Sequence, residues 1–181
     1  LIVMGMHGKE KFRDLFIGTT IERVIRKGSY PVLMVRKKPV GPYQSIVASI
    51  DYAQGSRAAL RSGMEIAPNG VFEVIHAYTI PVMYPTTAEY ALQTHAQTEK
   101  AQHKAMDAFI KTETSHFKKT HQGTSKRLQG KMIEGPVYKT LIKEAKNAKA
   151  DLITLGAHGR AEPTLSQLGG ITTDILTDPP C

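Results

Sequence analysis

The sequence predicts an α/β fold, a doubly wound parallel sheet, on three observations. Short apolar runs alternate with stretches whose apolar positions recur at helical spacing, the pattern of strands joined by helices that cross over a parallel sheet. Most of the runs end at glycine or aspartate, residues that release a chain from a sheet into a turn. Finally, two stretches share one skeleton. Leu1-Ile-Val-Met-Gly5-Met-His7-Gly8 is followed by nine residues and Gly18-Thr19-Thr20. Leu152-Ile-Thr-Leu-Gly156-Ala-His158-Gly159 is followed by nine residues and Gly169-Gly170. Residues 7 and 158 differ by 151, and the same offset relates every matched pair. A repeat at domain length is stronger than any single motif.

Residues 1–5 read as a buried strand, a short apolar run closed by Gly5. Residues 19–27 read as a helix through Ile21, Val24 and Ile25, with Gly28 as its stop. Residues 31–35 are a second strand with Pro31 at its first position, where proline is tolerated. Residues 36–43 hold three consecutive basic residues, two prolines and a glycine, the composition of a linker.

A fresh unit then begins. Residues 45–50 form a strand ending at Asp51. Residues 56–66 form a helix with Ala59, Leu60, Met64 and Ile66 near one face and Ser56 as its N-cap. Residues 71–77 are a strand, and 78–87 are irregular, with two prolines. Residues 87–117 are helical through Tyr90, Ala101, Ala105, Met106, Phe109 and Ile110, and polar enough to lie on the surface. Residues 126–134 are a strand ended by Gly135. Pro136 opens the next helix at its first position, with a stripe of Val137, Tyr138, Leu141, Ile142, Ala145 and Ala148. Residues 151–156 are a strand and 170–176 the last helix. On this reading residues 1–40 are the closing strand–helix–strand of a first unit. Residues 41–181 are a second unit without its final strand.

Composition narrows the class. With 181 residues, 41% hydrophobic and 22% charged, the chain can bury a core and falls in the ordinary globular range. No apolar run approaches the roughly 18 residues of a membrane span. Residues 1–6 are too short for a signal-peptide core and lack a basic flank, so they read as a strand. The single cysteine, Cys181, rules out an internal disulfide and fits a reducing cytoplasm. The net charge is +8, with nine Lys/Arg among residues 1–40 and eight among residues 100–131. These stretches lack the interleaved aromatics of a base-stacking surface and carry no DNA-reading motif. Solvated faces are the expectation, and nucleic acid is not an expected partner.

In an open parallel sheet, ligands bind beyond the carboxyl ends of the strands. Asp51, Ala77, Gly135, Gly156, His158, Gly159, Gly169 and Gly170 all fall there. Glycine lets backbone approach a phosphate closely, and a helix N-terminus offers unpaired N–H groups. Asp51 can present its carboxylate to a ribose hydroxyl or an amino group, or it can serve only as the turn residue that starts a helix. His7 and His158 can contact a ligand or hydrogen-bond within their loops. His116 and His121 have a metal-like spacing but no third converging ligand. No nucleophile–base–orienter set is visible, so catalysis is not expected; slow ATP hydrolysis has no assigned base.

These residues carry a resemblance to the universal stress protein family. The family's ATP-binding signature is Gly, two residues, Gly, nine residues, Gly and Ser/Thr. Gly5, Gly8, Gly18 and Thr19 match it in full. The segments 151–160, 46–51 with Gly55 and Ser56 behind, and 74–77 also look like the family's. The resemblance covers nearly the whole chain. It implies an adenine nucleotide alpha hydrolase-like, Rossmann-like fold and a tandem parent protein. It further implies binding of ATP or a related adenine nucleotide, with or without Mg, in a cytoplasmic stress-response module. Asp51, with Ile50 beside it, inherits the nucleotide contact after the first strand. Ala77 inherits the backbone contact to adenine, and the glycines hold ribose and phosphates. Gly170 stands where the family has Ser or Thr, so the second copy lacks one phosphate-facing hydroxyl. Pro163 lies inside the nine-residue spacer. The alternative is a module that no longer holds nucleotide and serves dimerisation or protein interaction. Pairing through residues 31–35 is expected, as a homodimer or between tandem domains.

Overall fold

The computed structural model describes residues 1–5, 19–27, 30–79, 88–120, 127–157 and 168–181. The six strands and five helices among them alternate as the periodicity predicts. They are β1 (Ile2–Gly5), α1 (Thr19–Lys27), β2 (Val32–Val35), β3 (Ser45–Ser49), α2 (Gln54–Ile66), β4 (Val71–Tyr78), α3 (Ala88–Thr120), β5 (Leu128–Glu134), α4 (Val137–Asn147), β6 (Leu152–Thr154) and α5 (Gly170–Thr177).

Strands β1 and β2 pair in parallel as a two-stranded sheet, with Ile2 opposite Val32 and Gly5 opposite Val35. The other four strands form a parallel sheet in the order β5-β4-β3-β6. From β3 the chain steps outward through β4 to β5, then returns to place β6 on the other side of β3. That reversal is the topological switch point at which open α/β sheets form a crevice.

Both faces of the larger sheet are covered. On one, Ile46, Ala48, Ile50, Phe72 and Val74 pack with Leu60 and Met64 of α2 and Met106, Phe109 and Phe117 of α3. On the other, Val47 and Ile75 pack with Leu141 and Ala145 of α4 and Ile175 of α5. Alternate residues of β3 therefore enter opposite cores, as period-2 side chains must. Each fully buried Leu, Ile or Phe contributes about 1.5–3 kcal/mol of apolar transfer.

Several local expectations shift. Ala101 and Ala105 are exposed. The buried stripe of α3 runs instead through Met106, Phe109, Glu113 and Phe117. Glu113 is completely buried, and its carboxylate takes hydrogen bonds from Arg57 Nη1 at 2.8 Å and Arg61 Nε at 2.8 Å. Arg57 also lies 5.0 Å over the Phe109 ring. A buried carboxylate persists only when so paired, and this one clamps α3 to α2. Ser56 is not an N-cap: α2 begins at Gln54 with Ala53 as its cap. Pro136 is the residue before α4, with φ −61° and ψ 125°, and its carbonyl accepts the Thr140 N–H at 3.0 Å. Strand β6 is shorter than expected. Asp151, predicted to open it, instead accepts the Gln44 and Ser45 amides at 2.8 and 3.1 Å, pinning the start of β3. Pro31 likewise precedes β2, and its carbonyl takes the Ile2 N–H at 2.9 Å. Among the described residues no helix is long and apolar enough to cross a membrane.

Candidate nucleotide crevice

The switch point sets the ends of β3 and β6 side by side, and the turns beyond these two strands build a crevice. Past β3, the Ile50 N–H still bonds to Ile75 O at 2.9 Å, so the chain leaves the sheet only at Asp51. The carboxylate of Asp51 then turns it. Oδ1 accepts the Ala53 N–H at 3.0 Å and the Ser56 hydroxyl at 2.5 Å, while the Asp51 N–H reaches Ser56 Oγ at 3.3 Å. This is an Asx-type turn, so Asp51 does start the helix. An ionised carboxylate has about four lone-pair sites, so it can accept several donors at once. Tyr52 takes up the bend with φ 66°, a left-handed conformation that a bulky residue adopts at a cost of about 1–3 kcal/mol.

Past β6, Gly156 lies against the first turn of α2. A Cβ built there would stand 2.9 Å from Ser56 N and 3.1 Å from the Gly55 carbonyl carbon, so only glycine permits the approach. Helix α5 is drawn to the same place. Thr172 Oγ1 donates to Gly156 O at 2.8 Å, and the Gly169 N–H donates to Ala157 O at 3.0 Å. Neither α2 nor α5 has a side-chain N-cap bond. Two helix N-termini thus meet at the ends of β3 and β6, with amide donors and the positive ends of two helix dipoles. The opening continues as a cavity of about 1350 Å³ that includes Ala53, Gly55, Gly156 and Thr172.

The remaining predicted residues divide. Ala77 lies on β4 opposite Ile133 of β5, one strand from β3. The Ile50 side chain is buried in the α2–α3 core, so it can reach a ligand only through its backbone. Gly169 and Gly170 open α5, and a Cβ at Gly170 would meet nothing within 4 Å. Gly5 ends β1 and Thr19 begins α1, and β1 belongs to the two-stranded sheet while Asp51 follows β3 of the larger one. Gly8, Gly18, His158 and Gly159 lie outside the described residues, as do His7, His121 and Pro163. Gly135 follows β5 with φ 151°, and its N–H bonds to Tyr78 O at 2.8 Å.

Two participants carry no local signal of their roles. Ser56 serves Asp51 rather than its own helix end. His76, buried to 7% exposure, sets Nδ1 2.9 Å from Ile50 O and its ring 4.6 Å from that of Tyr52. It therefore braces the Asp51 turn from β4. The period-2 pattern puts His76 inside, but nothing near it in sequence names its partner. Among the described residues no group of three His, Cys, Asp or Glu side chains is placed to hold a metal ion.

Comparison with known proteins agrees with this architecture. The model of the universal stress protein family matches residues 1–36 and 42–181. A universal stress protein of Methanocaldococcus jannaschii, MJ0577, is 42% identical over 38 residues. That match covers 21% of this chain and only 24% of the relative. The solved structure of UspA from Lactobacillus plantarum superposes with a TM-score of 0.63 at 21% identity, over 78% of this chain and 95% of that one. A universal stress protein in complex with cAMP superposes with a TM-score of 0.50 at 20% identity, over 75% of this chain and 90% of that one. The parallel sheet, its switch point and the matched sequence lead to one conclusion: the chain belongs to the universal stress protein family.

Proposed function

We propose that the second unit binds an adenine nucleotide in the crevice between β3 and β6 and acts as a regulatory module of stress response. The observation that carries this reading is the contact of Gly156 with the first turn of α2, which brings two uncapped helix N-termini beside Asp51. Such a convergence suits an anion, and Asp51 at its edge suits a ribose hydroxyl. A family member in complex with cAMP supports an adenine nucleotide as the ligand class. In this reading Asp51 and the backbone of Ile50 and Ala77 meet the nucleoside. Gly156, His158, Gly159, Gly169 and Gly170 surround the phosphates, with Mg optional.

Calorimetric titration of Mg-ATP and of cAMP into the wild type and Asp51→Asn tests it. Asparagine keeps an oxygen for Ala53 and Ser56, so a loss of binding reports the ligand contact rather than the turn. Binding that is the same in wild type and variant removes Asp51 from the site. Absence of heat for both ligands refutes the reading. The open space at Gly170 lets Gly170→Thr add the family's hydroxyl without collision. One hydrogen bond to a charged group is worth about 1.5–3 kcal/mol, so this variant should bind ATP about tenfold to a hundredfold more tightly.

A second reading, an interaction module, draws on the missing hydroxyl at Gly170 and on β2, which among the described residues pairs only with β1. Concentration-independent monomer mass in light scattering would refute pairing between chains.

A further inference from the structure

Among the described residues, one rung is missing from the end of the β3–β4 ladder. In a parallel pair, a residue that donates to one residue of the neighbouring strand accepts from the amide two residues further along that strand. The Ile50 N–H bonds to Ile75 O at 2.9 Å, so the next rung would run from the Ala77 N–H to Ile50 O. The paired register stops instead at Ser49 opposite Ile75. Ile50 O is met by a side chain, His76 Nδ1 at 2.9 Å. A carbonyl oxygen only accepts, so Nδ1 carries the proton and donates it.

The missing rung leaves Ala77 facing the crevice. Tyr78 O takes the Gly135 N–H at 2.8 Å, so the main-chain groups of Tyr78 point toward β5. Main-chain groups of successive residues alternate between the two edges of a strand, so the Ala77 N–H and C=O point toward β3. By that level β3 has ended, and Tyr52, with φ 66°, turns the chain out of the sheet. Ala77 thus presents a donor and an acceptor together beside the Asp51 turn. That pair matches an adenine edge, where a ring-nitrogen acceptor adjoins an amino donor.

His76 is fixed in place to hold the gap open. It is buried, with its ring 4.6 Å from that of Tyr52 and its plane within 13° of the Tyr78 ring. Tyr52 in turn meets Phe109 of α3 edge-on at 5.6 Å. Buried carbonyls are almost always paired, and with the imidazole gone the Ala77 N–H is the donor in line for Ile50 O. We propose that His76 is the positioning residue for the base. By taking the Ile50 carbonyl it ends the β3–β4 ladder one rung early and keeps the Ala77 amide open to the ligand. This role rests on the adenine-nucleotide reading of the crevice.

The test reads amide exchange by NMR in the ligand-free protein and Mg-ATP affinity by calorimetry. In the wild type the Ala77 amide should exchange at least about tenfold faster than the amide of Ile75, which lies within the paired register. In His76→Leu the Ala77 amide should gain protection, and ATP should bind at least about tenfold more weakly. His76→Asn, whose amide nitrogen can replace Nδ1 as the donor, should restore both readouts. A merely structural histidine would lower affinity without protecting Ala77 and would not be rescued by asparagine. A wild-type Ala77 amide as protected as that of Ile75 overturns the proposal. So does unchanged affinity or unchanged Ala77 exchange in His76→Leu, or a failure of His76→Asn to rescue. Where melting shows that His76→Leu does not fold, the wild-type exchange and a His76→Asn affinity within about threefold of wild type decide alone. Absence of ATP binding by the wild type refutes the nucleotide reading, and the exchange measurements still decide whether His76 holds the rung open.

Discussion

Residues 1–5 and 152–156 carry the same motif, an apolar strand closed by glycine, and the fold treats the two copies differently. Leu1 is 60% exposed, while its counterpart Leu152 is 7% exposed and packs in the α2–α3 core. A Cβ at Gly5 would meet nothing within 4 Å; one at Gly156 would strike the backbone of α2. The difference comes from the surroundings of each copy. β6 lies beside β3 in a sheet covered on both faces, whereas among the described residues β1 has only β2 beside it. A glycine motif thus acquires its necessity from the element that closes on it, and among the described residues that element is seen at the second copy.

The leucines should show the largest contrast. Leu152→Ala should cost about 2–5 kcal/mol of unfolding free energy, as large-to-small core changes do. Leu1→Ala should stay within about 0.5 kcal/mol. Urea denaturation of both variants measures this, and equal losses would mean that the first copy is as well packed as the second. A smaller contrast is expected at the glycines. Gly156→Ala forces a shift of the α2 turn and should cost about 1–3 kcal/mol, with Gly5→Ala near neutral by the same assay.

The other face of the second unit should yield a smaller effect again. Lys131 on β5 bonds Glu73 Oε2 at 2.8 Å and Glu144 Oε2 at 3.2 Å, linking β4, β5 and α4. The Glu73 hydrogen bond foremost, with Glu144 adding to it against partial burial, raises its ammonium pKa above the ordinary 10.5. A raised pKa contributes stability that is complete below the unfolded-state value and lost as pH climbs through the folded-state value. Stability should therefore fall above about pH 10.5, and Lys131→Met should flatten that part of the profile. Tyr78 and Cys181, both raised chiefly by burial, shift in the same sense and leave a residual slope. An unchanged profile in Lys131→Met would remove the triad from the alkaline response.

Much of this is legible in the sequence because it is local and periodic. Apolar runs ending in glycine or aspartate mark strands, and the stripe through Leu141 and Ala145 marks a helix, whatever the rest of the chain does. The crevice is legible in outline for the same reason: Asp51 and Gly156 stand at strand ends, where ligands of such sheets bind. The features that escape a sequence reading depend on partners distant along the chain. Glu113 looks like a surface residue until α3 is laid on α2 and two arginines meet it. Ser56 looks like a cap until Asp51 takes its hydroxyl. His76 is an apolar-face residue until Ile50 offers a carbonyl. Gly5 and Gly156 are indistinguishable as letters, and only packing separates them.

Whether the second copy is the one that holds nucleotide can be decided by calorimetric titration of Mg-ATP into the wild type, Gly5→Ala and Gly156→Ala. It should be run at a temperature where melting curves show all three folded. A nucleotide site in the crevice between β3 and β6 predicts that Gly5→Ala binds as the wild type does and that Gly156→Ala loses binding. Wild-type affinity in Gly156→Ala, or a loss in Gly5→Ala alone, would contradict the assignment of the site to the second copy.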